Sequence, residues 1–155
     1  MFPQNITTTE EETQTETGTY NIISDSAKIY KTPNYDYSQM KTVLKNGDVN
    51  LVDDYQNVRN WIIKFLRTPV DIYKIYEGTG FGTSAYKLKG YKAIDGLIYA
   101  QIKSEVEQGF KLNPNILAVT GFDMYKEDKS LMIYVKVKLQ DGYILEEKTE
   151  IYIIK

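Results

Sequence analysis

The chain has 155 residues, 42% of them hydrophobic and 26% charged, with a formal net charge of −2. That is long enough for one domain with a real core and ordinary for a globular protein. It contains no cysteine and no histidine, which excludes disulfides, thiolate chemistry and the commonest metal ligand and general base. No run of 18 apolar residues suggests a membrane span, and the first residues, MFPQNITTTEEE, have neither the basic nor the apolar region of a secretory signal.

Residues 1–26 form a polar arm with seven threonines before Tyr20. The arm carries Glu10, Glu11, Glu12, Glu16 and Asp25 but no Lys or Arg, and the remainder is weakly basic. Such a balance does not point to nucleic acid. The arm has too little apolar surface to offset its ordering entropy, so this extended arm is expected to be disordered when alone, lying along another chain if ordered and serving otherwise as a solubilising tail. Residues 27–155 are expected to form a single domain.

Within it, Ala27–Thr32 reads as a short strand ended by Pro33-Asn34, and Tyr35–Leu44 is ambiguous. Asn46-Gly47-Asp48 is a turn, and Val49–Val52 is a second strand. A helix follows. Val58, Trp61, Ile62, Phe65 and Leu66 recur at helical spacing, Asp53 can cap it with Gln56 in a capping-box position, and Pro69 ends it. Trp61, Ile62 and Phe65 are expected in the core. The piece Asp71–Tyr76 (DIYKIY) reads as a strand, and Ser84–Ala93 as a loop or short extended piece. A second helix spans about Ala93 to Phe110, with Ile94, Ile98, Ile102, Val106 and Phe110 every four residues and Leu97 widening the stripe. Gly109 and Pro114 mark its end.

The last forty residues read as three strands, Ile116–Tyr125, Leu131–Leu139 and Tyr143–Ile154. In the second, Leu131, Ile133, Val135, Val137 and Leu139 alternate with polar or longer residues, so one face is buried. At Gln140-Asp141-Gly142, a two-residue loop would set Val137 opposite Glu146. A three-residue loop with a glycine bulge pairs Val137 with Leu145 and Leu131 with Ile151, and keeps the apolar faces together. The bulged hairpin is therefore expected. The final IYIIK is apolar on both faces, unusual for an exposed edge, so a partner should cover it.

The run Gly78-Thr79-Gly80-Phe81-Gly82-Thr83 fails both nucleotide fingerprints: position 83 is not glycine, and Gly82-Thr83-Ser84 lacks the P-loop lysine. A tight turn bringing backbone against backbone is the better reading. The carboxylate pairs Asp53-Asp54 and Glu146-Glu147 are sequence neighbours, and no acid stands in an evidently apolar setting. The chain is accordingly expected not to be an enzyme, with no catalytic, cofactor or metal site.

The order of these pieces resembles the baseplate wedge or sheath-initiator family of contractile phage tails and R-type bacteriocins, in its Gram-positive branch. The resemblance runs from about Ile29 to the C-terminus. It is carried by Arg59–Tyr76 within VRNWIIKFLRTPVDIYKIY, by Gly80-Phe81-Gly82, and by the helix exit Asn113-Pro114-Asn115-Ile116. The family has an acidic residue, Pro and Arg at that exit; here only Pro114 matches. The resemblance implies an α+β fold: two amphipathic helices on a small, mostly antiparallel sheet, a C-terminal three-stranded meander and an extended N-terminal arm. It implies a structural component of a contractile-tail baseplate that joins the wedge to the tube and nucleates the first sheath ring. Its partners would be the tail sheath protein, the tail tube and other wedge proteins, in six copies around the tube, with no nucleic acid, membrane or cofactor. Its location would be a virion or bacteriocin particle assembled in the host cytoplasm. Partner contacts are expected at Asn113, Pro114, Asn115, Ile151, Tyr152, Ile153 and Ile154, and along the arm from Thr7 to Thr19. The alternative is a small tyrosine-rich module that binds peptide or carbohydrate.

Overall fold

A computed structural model describes residues 31–52, 54–88 and 94–152. The arm, Ala27–Tyr30, Asp53, Ile153 and Ile154 lie outside the described residues. The expected class holds: two helices pack on a three-stranded antiparallel meander, preceded by short extended pieces.

Helix α1 (Asp54–Arg67) buries Val58, Ile62, Phe65 and Leu66, the stripe its spacing demands. Trp61 is only partly buried, at the edge of that stripe, and stacks on the Phe65 ring at 5.5 Å. The Gln56 amide donates forward to Asn60 Oδ1 at 3.0 Å. The helix ends where the Thr68 hydroxyl donates to the Lys64 carbonyl at 2.6 Å, just before Pro69.

Helix α2 (Gly96–Gly109) is capped by Asp95, whose carboxylate accepts from Ile98 N at 2.8 Å. It buries Ile102, Val106 and Gly109. Ile94 lies before the cap. Leu97 is 79% exposed, because at about 100° per residue it stands roughly 140° around the helix from Ile102; it does not widen the buried stripe. Gly109 does more than mark the end. A Cβ there would overlap the Phe65 ring, so the missing side chain lets α1 and α2 close on one another. Phe65, Phe81 and Phe110 then meet edge to face at ring separations of 5.2 Å.

Strands β7 (Ile116–Glu127), β8 (Ser130–Leu139) and β9 (Ile144–Tyr152) form the meander in the order β7-β8-β9. All five alternating β8 residues are buried, and Val137 pairs with Leu145 and Leu131 with Ile151. Gly142 has φ 87°, and its N–H donates to Leu139 O while Leu139 N donates to Tyr143 O. The bulged hairpin is the one adopted.

Two stretches differ from expectation. Residues 32–52 are three two-residue ladders rather than strand, turn, strand: β1 (Thr32–Pro33) with β6 (Leu51–Val52), β2 (Tyr35–Asp36) with β3 (Lys41–Thr42), and β4 (Leu44–Lys45) with β5 (Asp48–Val49). They meet in a closed ring of backbone bonds, Asn34 N to Asn50 O, Asn50 N to Val43 O and Val43 N to Asn34 O. Each ladder is too short to hold alone, and the ring joins all three. The piece Asp71–Tyr76 is not a strand. Asp71 is left-handed at φ 58°, a 3₁₀ turn spans Lys74–Tyr76, and Ile75 is 78% exposed. Residues 84–88 likewise form a 3₁₀ turn. At the base of this excursion Pro69 bridges Thr83, and a Cβ on Gly82 would lie 2.5 Å from the Thr68 carbonyl oxygen. Gly82 is where backbone approaches backbone.

Candidate functional site

Three places on the surface could receive a partner: the free edge of β9, the groove beside its C-terminal end, and the exit of α2.

In β9, Leu145 and Thr149 are buried toward α1 and Glu147 faces the same way, while Ile144, Glu146 and Lys148 are exposed. The Leu139 N to Tyr143 O bond fixes the ladder phase. Antiparallel alternation then points the backbone groups of Leu145, Glu147 and Thr149 at β8, and those of Ile144, Glu146, Lys148 and Glu150 away from it. Among the described residues no strand pairs with that side. The β8–β9 ladder runs without a register shift, whereas β7, at the opposite edge, shifts twice and gives its Phe122 carbonyl to the Tyr99 hydroxyl at 2.8 Å. Bulges and cover blunt an edge; β9 has no bulge.

Helix α1 braces β9 from behind. Arg59 Nε meets Glu147 Oε2 at 2.9 Å, and Tyr55 stacks on Tyr143 at 4.1 Å while donating to Asp141. Burial pushes the Glu147 carboxyl above its ordinary value of 4.5, with Arg59 pulling only partly the other way. Glu147 is thus a half-buried acid, held by Arg59 rather than set among apolar groups alone. On the outer face, Lys136 pairs with Glu146 at 2.6 Å, and Lys136 and the Tyr134 hydroxyl hold the Glu146 carboxyl down.

The groove lies between the β2–β3 hairpin, the last turn of α1 and the end of β9. It has a volume of about 560 Å³ and is lined by Tyr35, Tyr37, Met40, Arg67, Tyr73 and Ile151, among others. Its walls are fixed. Asp36 accepts from Ser38 N, Ser38 Oγ and Gln39 N, contacts that hold its carboxyl below the ordinary 3.8. Tyr37 donates its hydroxyl to Asn60 O at 3.0 Å and accepts Arg67 Nη1 at its carbonyl at 2.8 Å.

At the exit of α2, Asn113 is buried. Its side chain accepts from Asn115 N at 3.0 Å, and its carbonyl accepts from Ile116 N. Asn115 is half-buried, and its carbonyl accepts Gln140 N at 3.0 Å, tying the exit to the hairpin turn. Pro114 alone of the three is exposed. The polar groups of Asn113 serve the turn, which is why it needs neither family charge to be satisfied. The structure does not bring the exit together with Ile151. They sit at opposite ends of β9, roughly 20–25 Å apart at strand rise. Ile151 is half-buried and lines the groove, and Tyr152 pairs with Ser130 along the backbone. Apart from Ile151, the groove residues were not singled out by sequence. The Asp36-x-Ser38 turn and the tyrosines around it were the available signal.

The family model for the contractile injection system sheath initiator matches residues 31–142, and the chain belongs to that family. Its setting is thus a contractile, tail-like assembly with sheath and tube components. Comparison with curated proteins finds no match. Among solved structures, a Geobacter sulfurreducens protein provisionally named a tail lysozyme shares the fold. Its TM-score is 0.52 at 14% identity, over 64% of this chain and 91% of that one. This finding corrects the expectation that the chain is not an enzyme. A protein carrying a lysozyme name has the same fold. At that identity the likeness shows the fold and assigns no active site.

Proposed function

We propose that this chain joins the baseplate wedge to the tail tube and nucleates the first sheath ring, with β9 accepting a strand from the incoming sheath. The observation that carries this is β9 itself: an unbroken strand without a sheet partner on its outer side among the described residues, and backed by α1. Added strands gain main-chain hydrogen bonds along such an edge. Tail sheath, tube and wedge proteins are the partners in this reading, in six copies around the tube. The arm from Thr7 to Thr19, Pro114 and the segment Ile151–Ile154 are the contacts proposed with them.

The test is electron microscopy of particles made without this gene. Tubes or baseplates lacking sheath are expected; intact contractile tails would end the proposal. Lys148→Pro sharpens it. The Lys148 N–H points to the free side, so the substitution spares the β8–β9 ladder and obstructs an incoming strand, while also removing the Lys148 N–H contact to the Glu147 carboxylate and the Lys148 ammonium over Tyr125. It should leave a folded protein that fails to start sheath.

A further inference from the structure

We propose that the groove at the end of β9 is a side-chain subsite for the strand that β9 accepts, taking a bulky apolar side chain with a carboxylate two residues along. The inference rests on strand acceptance at β9 and adds to it the chemistry of the partner.

Three observations support it. First, the groove continues the edge. Glu150 and Ile151 line it, and Glu150 is also a residue whose backbone faces the free side. A strand laid along β9 therefore carries its α1-side residues over the cavity, and residues two apart share that side. Second, the walls are apolar and held open. Tyr35 and Tyr37 meet edge to face at 4.9 Å, and Met40 overhangs the cavity, 69% exposed, from a left-handed φ of 53°. A flexible apolar side chain held in that backbone conformation suits a surface that closes on another apolar group. Third, the charge is cationic. Lys64 and Arg67 line the groove, and Arg67 donates Nη1 to Tyr37 O. The one acid, Glu150, is already engaged by the Ser130 hydroxyl. A carboxylate entering beside the aromatic walls meets two cations, Lys64 exposed and Arg67 half-buried, whose attraction is partly screened by water and salt.

The experiment uses the full chain, labelled with nitrogen-15, titrated with the peptide acetyl-Thr-Val-Thr-Phe-Thr-Glu-Thr-amide and with versions carrying Ser for Phe or Gln for Glu. The parent peptide is expected to shift the amides of β9 together with Tyr37, Met40 and Tyr73. It should bind about tenfold more tightly than the Ser version, from the buried ring, and more tightly than the Gln version by a margin that shrinks with salt. Met40→Gly relaxes the backbone and should abolish the preference for Phe while the β9 shifts persist. Equal binding of all three peptides, with shifts along β9, would overturn the subsite and leave the edge standing. Absence of β9 shifts with every peptide would overturn strand acceptance and the subsite together. A groove that gives no shifts because the chain's own last residues already fill it would also overturn the subsite.

Discussion

Gly109→Ala tests the packing on which the domain depends. A methyl group there overlaps the Phe65 ring, and that ring is also fixed by Trp61, Phe81 and Phe110 at 5.2–5.5 Å. It cannot swing aside without moving a second aromatic. Overpacking of this kind costs about 1–3 kcal/mol, while replacing glycine by alanine in a helix returns at most about 1 kcal/mol. The net loss is on the order of 1–2 kcal/mol, or roughly 3–6 °C in Tm for a chain of this size. Urea unfolding would measure it. Gly96→Ala is the control: its Cβ meets nothing within 4 Å at the start of the same helix, so it should be neutral or slightly stabilising. Phe65→Leu should cost on the order of 1–2 kcal/mol alone. Combined with Gly109→Ala it should cost less than the sum, because the smaller side chain makes room for the methyl. Additive effects, or a stabilising Gly109→Ala, would refute the claim that this glycine exists for the ring.

Trp61→Ala should cost about 3 kcal/mol, the lower end for an aromatic truncation, since the indole is only partly buried; unchanged stability by chemical unfolding would remove it from the core. Asp95→Ala removes the α2 cap and should cost about 1 kcal/mol, with faster amide exchange over the first turn as the check. For Glu147 the folded carboxyl lies above its unfolded value near 4.5, so the folded state keeps a proton that the unfolded chain has lost. Stability then falls as pH rises through the window above 4.5, and Glu147→Gln should flatten that slope. Asp36, Asp141 and Glu146, whose carboxyls are held down by hydrogen bonds or a lysine, act in the opposite sense below their ordinary values. The two windows separate in a pH series of urea melts.

What could be read in advance was what repeats. The period-2 alternation of β8 and the helical spacing of α1 each name a buried face, and the β8–β9 register followed from keeping apolar faces together. The ladders of residues 32–52 repeat nothing. Two residues per strand carry no period, and the ring of Asn34, Val43 and Asn50 is made of backbone alone. The misreading of Asp71–Tyr76 came from side chains with strand propensity on a backbone that is turned by Asp71 and closed by Gly82. Glu147 looked like half of a wet pair with Glu146. Its burial is decided by a helix some eighty residues earlier in the chain. The edge of β9 was partly legible, as an apolar end without a cover. The groove beside it was not, because its lining comes from four separated segments.

Those segments converge on α1. One face of the helix carries Phe65 into the aromatic core, while Arg59 reaches Glu147 on β9. Asn60 at the middle of the helix and Arg67 at its C-terminal end clamp Tyr37 and so hold the groove wall. In the function proposed here, a strand added to β9 therefore pulls against the same helix that orders the core and the groove. Damage to α1 should then impair sheath initiation even where the edge is chemically intact. Trp61→Ala and Lys148→Pro separate the two cases. The first should weaken initiation in step with lost stability and recover at lower temperature. The second should abolish it at every temperature in a protein that remains folded.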